Sequence, residues 1–140
     1  MIHVLSGGYS NDPFGRLVGK TVSSLFVSEN EQELRFETDD GDVGVWAEGD
    51  CCSESWFADI TGFDALIGSK VVSVEIVDMP DIEDDRSRQE FDQAYGYKIT
   101  TEKGICDIVF RNSSNGYYGG WAVPSEAEGA TVKITDDWSA

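Results

Sequence analysis

The chain has 140 residues, of which 40% are hydrophobic and 11% aromatic, a composition that excludes a disordered chain and predicts one domain with a single core. It carries 27 Asp and Glu against 10 Lys and Arg, a formal net charge of −17, and this charge disfavours direct binding of DNA, RNA or anionic membranes. Without a signal peptide, an apolar span or disulfide-type cysteine spacing, the sequence predicts a cytosolic protein.

The first predicted elements are strands. Residues 17–27 are rich in Leu, Val and Thr and predict one strand. Leu34 and Phe36 then alternate with polar residues, as do Val43 and Val45 after an acidic turn at Gly41. This pattern predicts a β-hairpin, because glycine tolerates the positive φ that such a turn needs. Residues 55–60 are either extended or mixed in this interpretation.

One short helix is predicted next. Thr61 and Asp64 have the spacing of a capping box, and Gly68 is placed to end a helix of one or two turns. The alternation in residues 72–76 predicts another strand. Residues 78–92 include seven acidic side chains among fifteen, which indicates an exposed loop.

A second hairpin is predicted around residues 102–104. Alternating apolar residues precede this turn from Tyr95 to Ile99 and follow it from Cys106 to Phe110. Residues 117–121 indicate a further strand, residues 124–129 a break, residues 132–134 a last strand and residues 136–138 a tail. The predicted fold class is therefore α+β, a mainly antiparallel sheet meander with one short helix in a single domain of residues 1–140.

Catalytic and metal-binding motifs are not recognisable. Lys20 and Thr21 follow Gly19, but Phe14 stands where a phosphate-binding loop needs its first glycine. One histidine and three cysteines are too few for a spaced zinc site, and the acidic stretches lack the EF-hand pattern. We therefore expect no enzyme activity, catalytic residue, metal or cofactor, and keep a metal-dependent hydrolase as a minor alternative.

The leading hypothesis from the residues is a carboxylate-rich surface that binds a basic protein. Carboxylates spaced along a surface can imitate a nucleic-acid backbone and accelerate association with a cationic groove. The candidate partner-binding residues are Asp39, Asp40, Asp42, Asp81, Glu83, Asp84 and Asp85. The competing interpretation is that the acidity only maintains solubility.

A second hypothesis is a non-catalytic binder of a nucleotide-like signalling molecule. A guanidinium can bind phosphate, while aromatic faces and an amide can recognise a base. The candidate ligand-binding residues are Arg111, Asn115, Tyr117, Tyr118 and Trp121. The competing interpretation is a hairpin end whose Asn-Gly turn and tyrosines pack locally.

Several short segments resemble an uncharacterised family of phage and prophage proteins, domain of unknown function 7448. They are Gly19-Lys20-Thr21, Asp50-Cys51-Cys52-Ser53-Glu54, Asp59-Ile60-Thr61-Gly62 and Ser114-Asn115-Gly116-Tyr117-Tyr118. The resemblance spans roughly residues 17–122, with Ser53 as a departure because the family has Glu directly after the second Cys. It implies a phage-encoded protein in the cytoplasm of a bacterial host, and it transfers no catalytic or binding residue. Together with the charge, it suggests an inhibitor of a host protein such as a nuclease or an anti-phage defence component.

Overall fold

Two antiparallel sheets pack face to face in the computed structural model, which describes residues 2–5, 13–49, 52–79, 86–114 and 120–140. The six-stranded sheet has the order β1-β6-β7-β8-β5-β11, and the five-stranded sheet has the order β10-β2-β3-β4-β9. The elements are β1 (Ile2–Leu5), a 3₁₀ helix (Pro13–Leu17), β2 (Val22–Ser28), β3 (Glu33–Thr38), β4 (Gly41–Gly49), β5 (Glu54–Thr61), α1 (Phe63–Leu66), β6 (Val71–Asp78), β7 (Phe91–Thr101), β8 (Gly104–Ser114), β9 (Gly120–Ser125), β10 (Ala130–Ile134) and β11 (Trp138–Ser139).

The fold class is mainly β rather than α+β, and the predicted antiparallel strands with one short helix are confirmed. The α-helix in the described ranges is the four-residue α1. Only five residues separate Gly62 from Gly68, and both glycines have positive φ values of 81° and 78°. The capping pattern in this segment therefore corresponds to a single helical turn, and the helix does not form a layer that packs on the sheets.

Both predicted hairpins are confirmed. Thr38 pairs with Gly41 at the β3–β4 turn, where Gly41 has a φ of 91°. Thr101 pairs with Gly104 at the β7–β8 turn. In both hairpins the turn residues and the period-two alternation specify the same register, so the local sequence pattern was sufficient to predict the strand pairing.

The strand predicted for residues 17–27 begins later, at Val22. Leu17 ends the 3₁₀ helix, and Gly19 turns the chain with a φ of 86°. Residues 54–61 form β5, which resolves the segment that the sequence left open.

The predicted tail is instead part of the fold. Trp138 pairs with Ile60 and so adds β11 to the six-stranded sheet. Asp137 Oδ1 accepts hydrogen bonds from the backbone N–H groups of Gly62 and Phe63, at 3.0 and 2.9 Å. A carboxylate from the C-terminal segment therefore caps α1, where the sequence had suggested Thr61.

The core lies between the two sheets and is centred on a residue outside both. Phe14, on the 3₁₀ helix, is fully buried. Its ring stacks on Tyr97 with a centroid distance of 4.0 Å and meets Phe36 and Phe57 edge to face at 6.0 and 6.2 Å. Phe36 belongs to one sheet and Phe57 and Tyr97 to the other, so Phe14 joins the two layers.

Candidate functional site

Residues 54–56 and residues 111–113 are neighbours in the fold, although they are far apart in the sequence. Strand β5 pairs with β8, which places Glu54 opposite Ser113 and Trp56 opposite Arg111. The paired ends of β5 and β8 thus form one end of the six-stranded sheet. No local sequence pattern indicated this pairing, because Trp56 and Arg111 are 55 positions apart.

The side chains of this end form a cluster, here called the Arg111 cluster, on the outer face of the six-stranded sheet. Its members are Trp56, Ser87, Arg88, Asp92, Arg111 and Ser113. Arg111 is fully buried, and its Nε donates to Asp92 Oδ2 at 2.8 Å. Asp92 Oδ1 accepts a second hydrogen bond from Ser113 Oγ at 2.7 Å. The buried guanidinium is therefore paired with a carboxylate of its own chain, as a buried charge requires.

Residues 86–88 lie along the outer side of the sheet and supply two members of the Arg111 cluster, Ser87 and Arg88. Arg86 forms a two-pronged ion pair with Asp59, with N–O distances of 3.0 and 3.1 Å. Ser87 Oγ accepts a hydrogen bond from Arg111 Nη2 at 3.3 Å. The Arg88 guanidinium lies 4.2 Å from the centre of the Trp56 ring, a cation–π contact. The arrangement buries Trp56 and Arg111, and it can hold the end of the acidic 78–92 segment against the sheet.

A second group of polar residues lies on the inner side of the same strands. Asn112 Nδ2 donates to Ser55 Oγ at 2.8 Å, and Asn112 Oδ1 is buried without a hydrogen-bond partner among the described residues. A Cβ at Gly120 would lie 2.3 Å from Ser55 Oγ and 2.6 Å from Asn112 Nδ2. Strand β9 can thus approach this pair only because residue 120 is glycine.

The acidic turn of the first hairpin carries three of the predicted partner-binding residues. Asp39 Oδ1 accepts a hydrogen bond from Thr21 N at 3.0 Å, Asp40 lies 3.9 Å from Lys20, and Asp42 lies 3.7 Å from Arg35. The side chains of Asp40 and Asp42 are 80% and 54% exposed. Exposed ion pairs of this kind contribute at most about 1 kcal/mol, so these two carboxylates can exchange partners.

The remaining predicted residues are distributed as follows. Asp81, Glu83, Asp84, Asp85, Asn115, Tyr117, Tyr118 and Cys51 lie outside the described residues. Trp121 is 48% exposed and lies on the outer face of the five-stranded sheet. Arg111 belongs to β8 and is buried on the outer face of the six-stranded sheet. The structure therefore does not bring Arg111 and Trp121 together.

In the part of the chain that the structure describes, no three or more His, Cys, Asp or Glu side chains are grouped so that they could hold a metal ion. The described helices include none long and apolar enough to cross a membrane.

The described cysteines differ in their surroundings, which gives a testable prediction. Burial raises the pKa of the Cys106 thiol to about 12, with further contributions from Asp107 and Asp137, whereas Cys52 is exposed. The thiolate is the reactive form, so at pH 8 we expect iodoacetamide to alkylate Cys52 and to leave Cys106 unmodified in the native protein.

Peptide mass spectrometry after brief labelling measures both sites in one sample. Labelling in urea provides the control, because unfolding should make Cys106 as reactive as Cys52. Equal alkylation of the two thiols in the native protein would contradict the burial of Cys106.

Comparison with known proteins gives a family but no described activity. The model of the domain of unknown function DUF7448 matches residues 15–123, a range that runs from the 3₁₀ helix into β9. An uncharacterized protein of Acanthamoeba polyphaga mimivirus is 32% identical over 108 residues, which cover 71% of this chain and 82% of that protein. No solved structure matches the chain significantly.

Proposed function

This chain belongs to the DUF7448 family, and we propose that it is a non-catalytic acidic protein that binds a basic surface of another protein. In this proposal it is phage-encoded and inhibits or modulates a protein of the bacterial host, such as a nuclease or an anti-phage defence component. Its carboxylates take the place of nucleic-acid phosphates on the partner.

The observation that carries the proposal is how the chain uses its own cations. Of its five arginines, four pair with carboxylates of the same chain. The pairs are Arg35–Glu37, Arg86–Asp59, Arg88–Glu31 and Arg111–Asp92. These four guanidinium groups, and Lys20 beside Asp40, are thus paired within the described residues, while the chain as a whole keeps an excess of 17 negative charges. A cationic counterpart gains from this field, which also accelerates the encounter.

The family context supports a viral setting for the proposal. The relative from mimivirus is a viral protein, and the match covers 71% of this chain. That relative is an uncharacterized protein, so the choice of a host protein as target rests on the charge.

The test of this function is affinity capture from phage-infected bacteria, followed by measurements on the captured partner in purified form. We expect the dissociation constant to increase about tenfold or more between low and physiological salt, because the attraction between exposed charges is screened over about 8 Å at physiological ionic strength. We also expect double-stranded DNA to compete for the partner.

A triple variant with Asp39, Asp40 and Asp42 changed to Asn is expected to weaken the interaction. A matched variant with Asp64→Asn, Glu102→Gln and Asp136→Asn removes three exposed charges elsewhere and controls for net charge. Affinity that is independent of salt would contradict the proposal, and a partner that DNA does not displace would remove the nucleic-acid mimicry from it.

A further inference from the structure

An aromatic and acidic surface lies on the outer face of the five-stranded sheet. Trp121 is the largest side chain among the exposed hydrophobic residues, with 48% of its area accessible. It is adjacent in sequence to the buried Ala122 and lies opposite Glu48, while Trp46 lies opposite Val123. Because side chains alternate across a strand and Ala122 and Ala47 face the core, these four residues point outward together.

Glu33 extends this surface toward the next strand, because it lies opposite Trp46 in the β3–β4 pair. Beyond Glu33, an open groove separates the β2–β3 turn from the segment that joins β9 to β10. It is lined by Ser28, Glu29, Asn30, Glu33, Gly129 and Thr131. The Trp–Glu surface, defined as Glu33, Trp46, Glu48, Trp121 and Val123, thus continues into a groove whose lining includes the carboxylates of Glu29 and Glu33. At its margin the Arg35 guanidinium donates to the backbone carbonyl of Ala130 at 3.2 Å.

The edge of this groove is held in place by its own hydrogen bonds. Ser28 Oγ accepts from the backbone N–H groups of Gln32 and Glu33, at 3.1 and 2.9 Å, and donates to Asn30 Oδ1 at 2.6 Å. The turn that carries Glu29 is therefore formed before any partner binds, which lowers the entropic cost of association.

The charge of the chain selects the kind of partner. A second copy of a protein with a net charge of −17 would meet strong repulsion, and so would a nucleic acid or an anionic membrane. An exposed tryptophan beside a glutamate suits arginine in particular, because a guanidinium can stack on the indole ring while it donates to the carboxylate.

The chain uses this type of contact internally. The guanidinium of Arg88 lies 4.2 Å from the centre of the Trp56 ring and 3.8 Å from Glu31. The guanidinium of Arg35 lies 4.1 Å from the Phe26 ring and 3.2 Å from Glu37. Two arginines are thus recognised by an aromatic ring together with a glutamate.

We propose that the Trp–Glu surface binds an arginine-rich segment of the partner, with one guanidinium stacked on Trp121 and paired with Glu48. A second arginine of the segment binds Glu33 and the acidic groove. This inference rests on the proposed function and identifies the surface that performs it.

The experiment uses an oligoarginine peptide and an oligolysine peptide of equal length as probes, with titration calorimetry at low salt. We expect the native chain to bind oligoarginine more tightly than oligolysine. Trp121→Ala should weaken oligoarginine binding about tenfold and reduce the preference for arginine, and Glu48→Gln should weaken it severalfold.

Two matched variants serve as controls. Phe91→Ala removes another exposed aromatic side chain, on the six-stranded sheet, and Glu102→Gln removes another exposed carboxylate. Both should bind oligoarginine as the native chain does, and thermal unfolding shows whether each variant is folded.

The possible failures are distinguishable. If the native chain binds neither peptide, the proposed acidic binding function itself is contradicted. If it binds both peptides but Trp121→Ala and Glu48→Gln behave like the control variants, the Trp–Glu surface is overturned while binding of basic partners still holds.

Discussion

Replacing Arg111 by Met should lower the free energy of unfolding by about 3–5 kcal/mol, because the change leaves the Asp92 carboxylate buried without its cation. The Asp92 side chain is 7% exposed, so water cannot replace the lost partner. The same substitution removes the hydrogen bond to Ser87 Oγ and the cation above Trp56. Urea unfolding followed by tryptophan fluorescence and circular dichroism measures the effect.

The matched control is Arg16→Met, because Arg16 is an exposed arginine on the 3₁₀ helix. Its substitution should change the stability by less than about 0.5 kcal/mol. The double variant Arg111→Met with Asp92→Leu should recover much of the loss, since replacing a whole buried ion pair by apolar side chains is often close to neutral. Equal effects of Arg111→Met and Arg16→Met would show that the buried pair does not stabilise the fold.

This prediction changes how variants of Arg111 can be interpreted. As a ligand-binding residue, Arg111 could be replaced without loss of the fold. In the structure its guanidinium already pairs with Asp92. Arg111 lies on the outer face of the six-stranded sheet, whereas Trp121 lies on the outer face of the five-stranded sheet. When a variant of Arg111 loses binding, its free energy of unfolding must therefore be measured before the loss is attributed to a missing contact with a ligand.

The sequence alone predicted the elements whose paired residues lie close together in the chain. The Asp-Gly turn at Gly41 and the alternation on both sides of it define the first hairpin, and the second hairpin follows in the same way. The fold class was not predictable to the same degree. The pattern from Thr61 to Gly68 predicts a helix of one or two turns, and α1 has one turn of four residues, which is too little helix to form a layer beside the two sheets.

The candidate site was the least predictable part, because its contacts join distant segments. Asp92 reaches Arg111 across 19 positions, and Trp56 lies opposite Arg111 across 55 positions. Arg111 was noticed as a candidate, but the sequence contains no signal that a carboxylate would neutralise it. The Trp–Glu surface was missed for a related reason, because Glu48 and Trp121 become neighbours only when β4 pairs with β9.

Phe14→Ala should also lower the free energy of unfolding by about 3–5 kcal/mol, which is the cost of removing a fully buried phenylalanine from a packed core. Phe14 is not part of either sheet, yet its ring contacts Phe36 in one sheet and Phe57 and Tyr97 in the other. The substitution thus removes the group that joins the layers, and the rigid sheets can close the resulting cavity only in part.

Phe91→Ala is the matched control, because Phe91 is 52% exposed and its removal should cost less than about 1 kcal/mol. Urea unfolding of both variants gives the comparison, and an unchanged m-value would show that the variants expose the same amount of surface on unfolding as the native chain. Since the two substitutions delete the same atoms, a difference of about 2 kcal/mol or more assigns the effect to the position between the sheets. Equal losses would show that Phe14 is not the residue that couples the two layers.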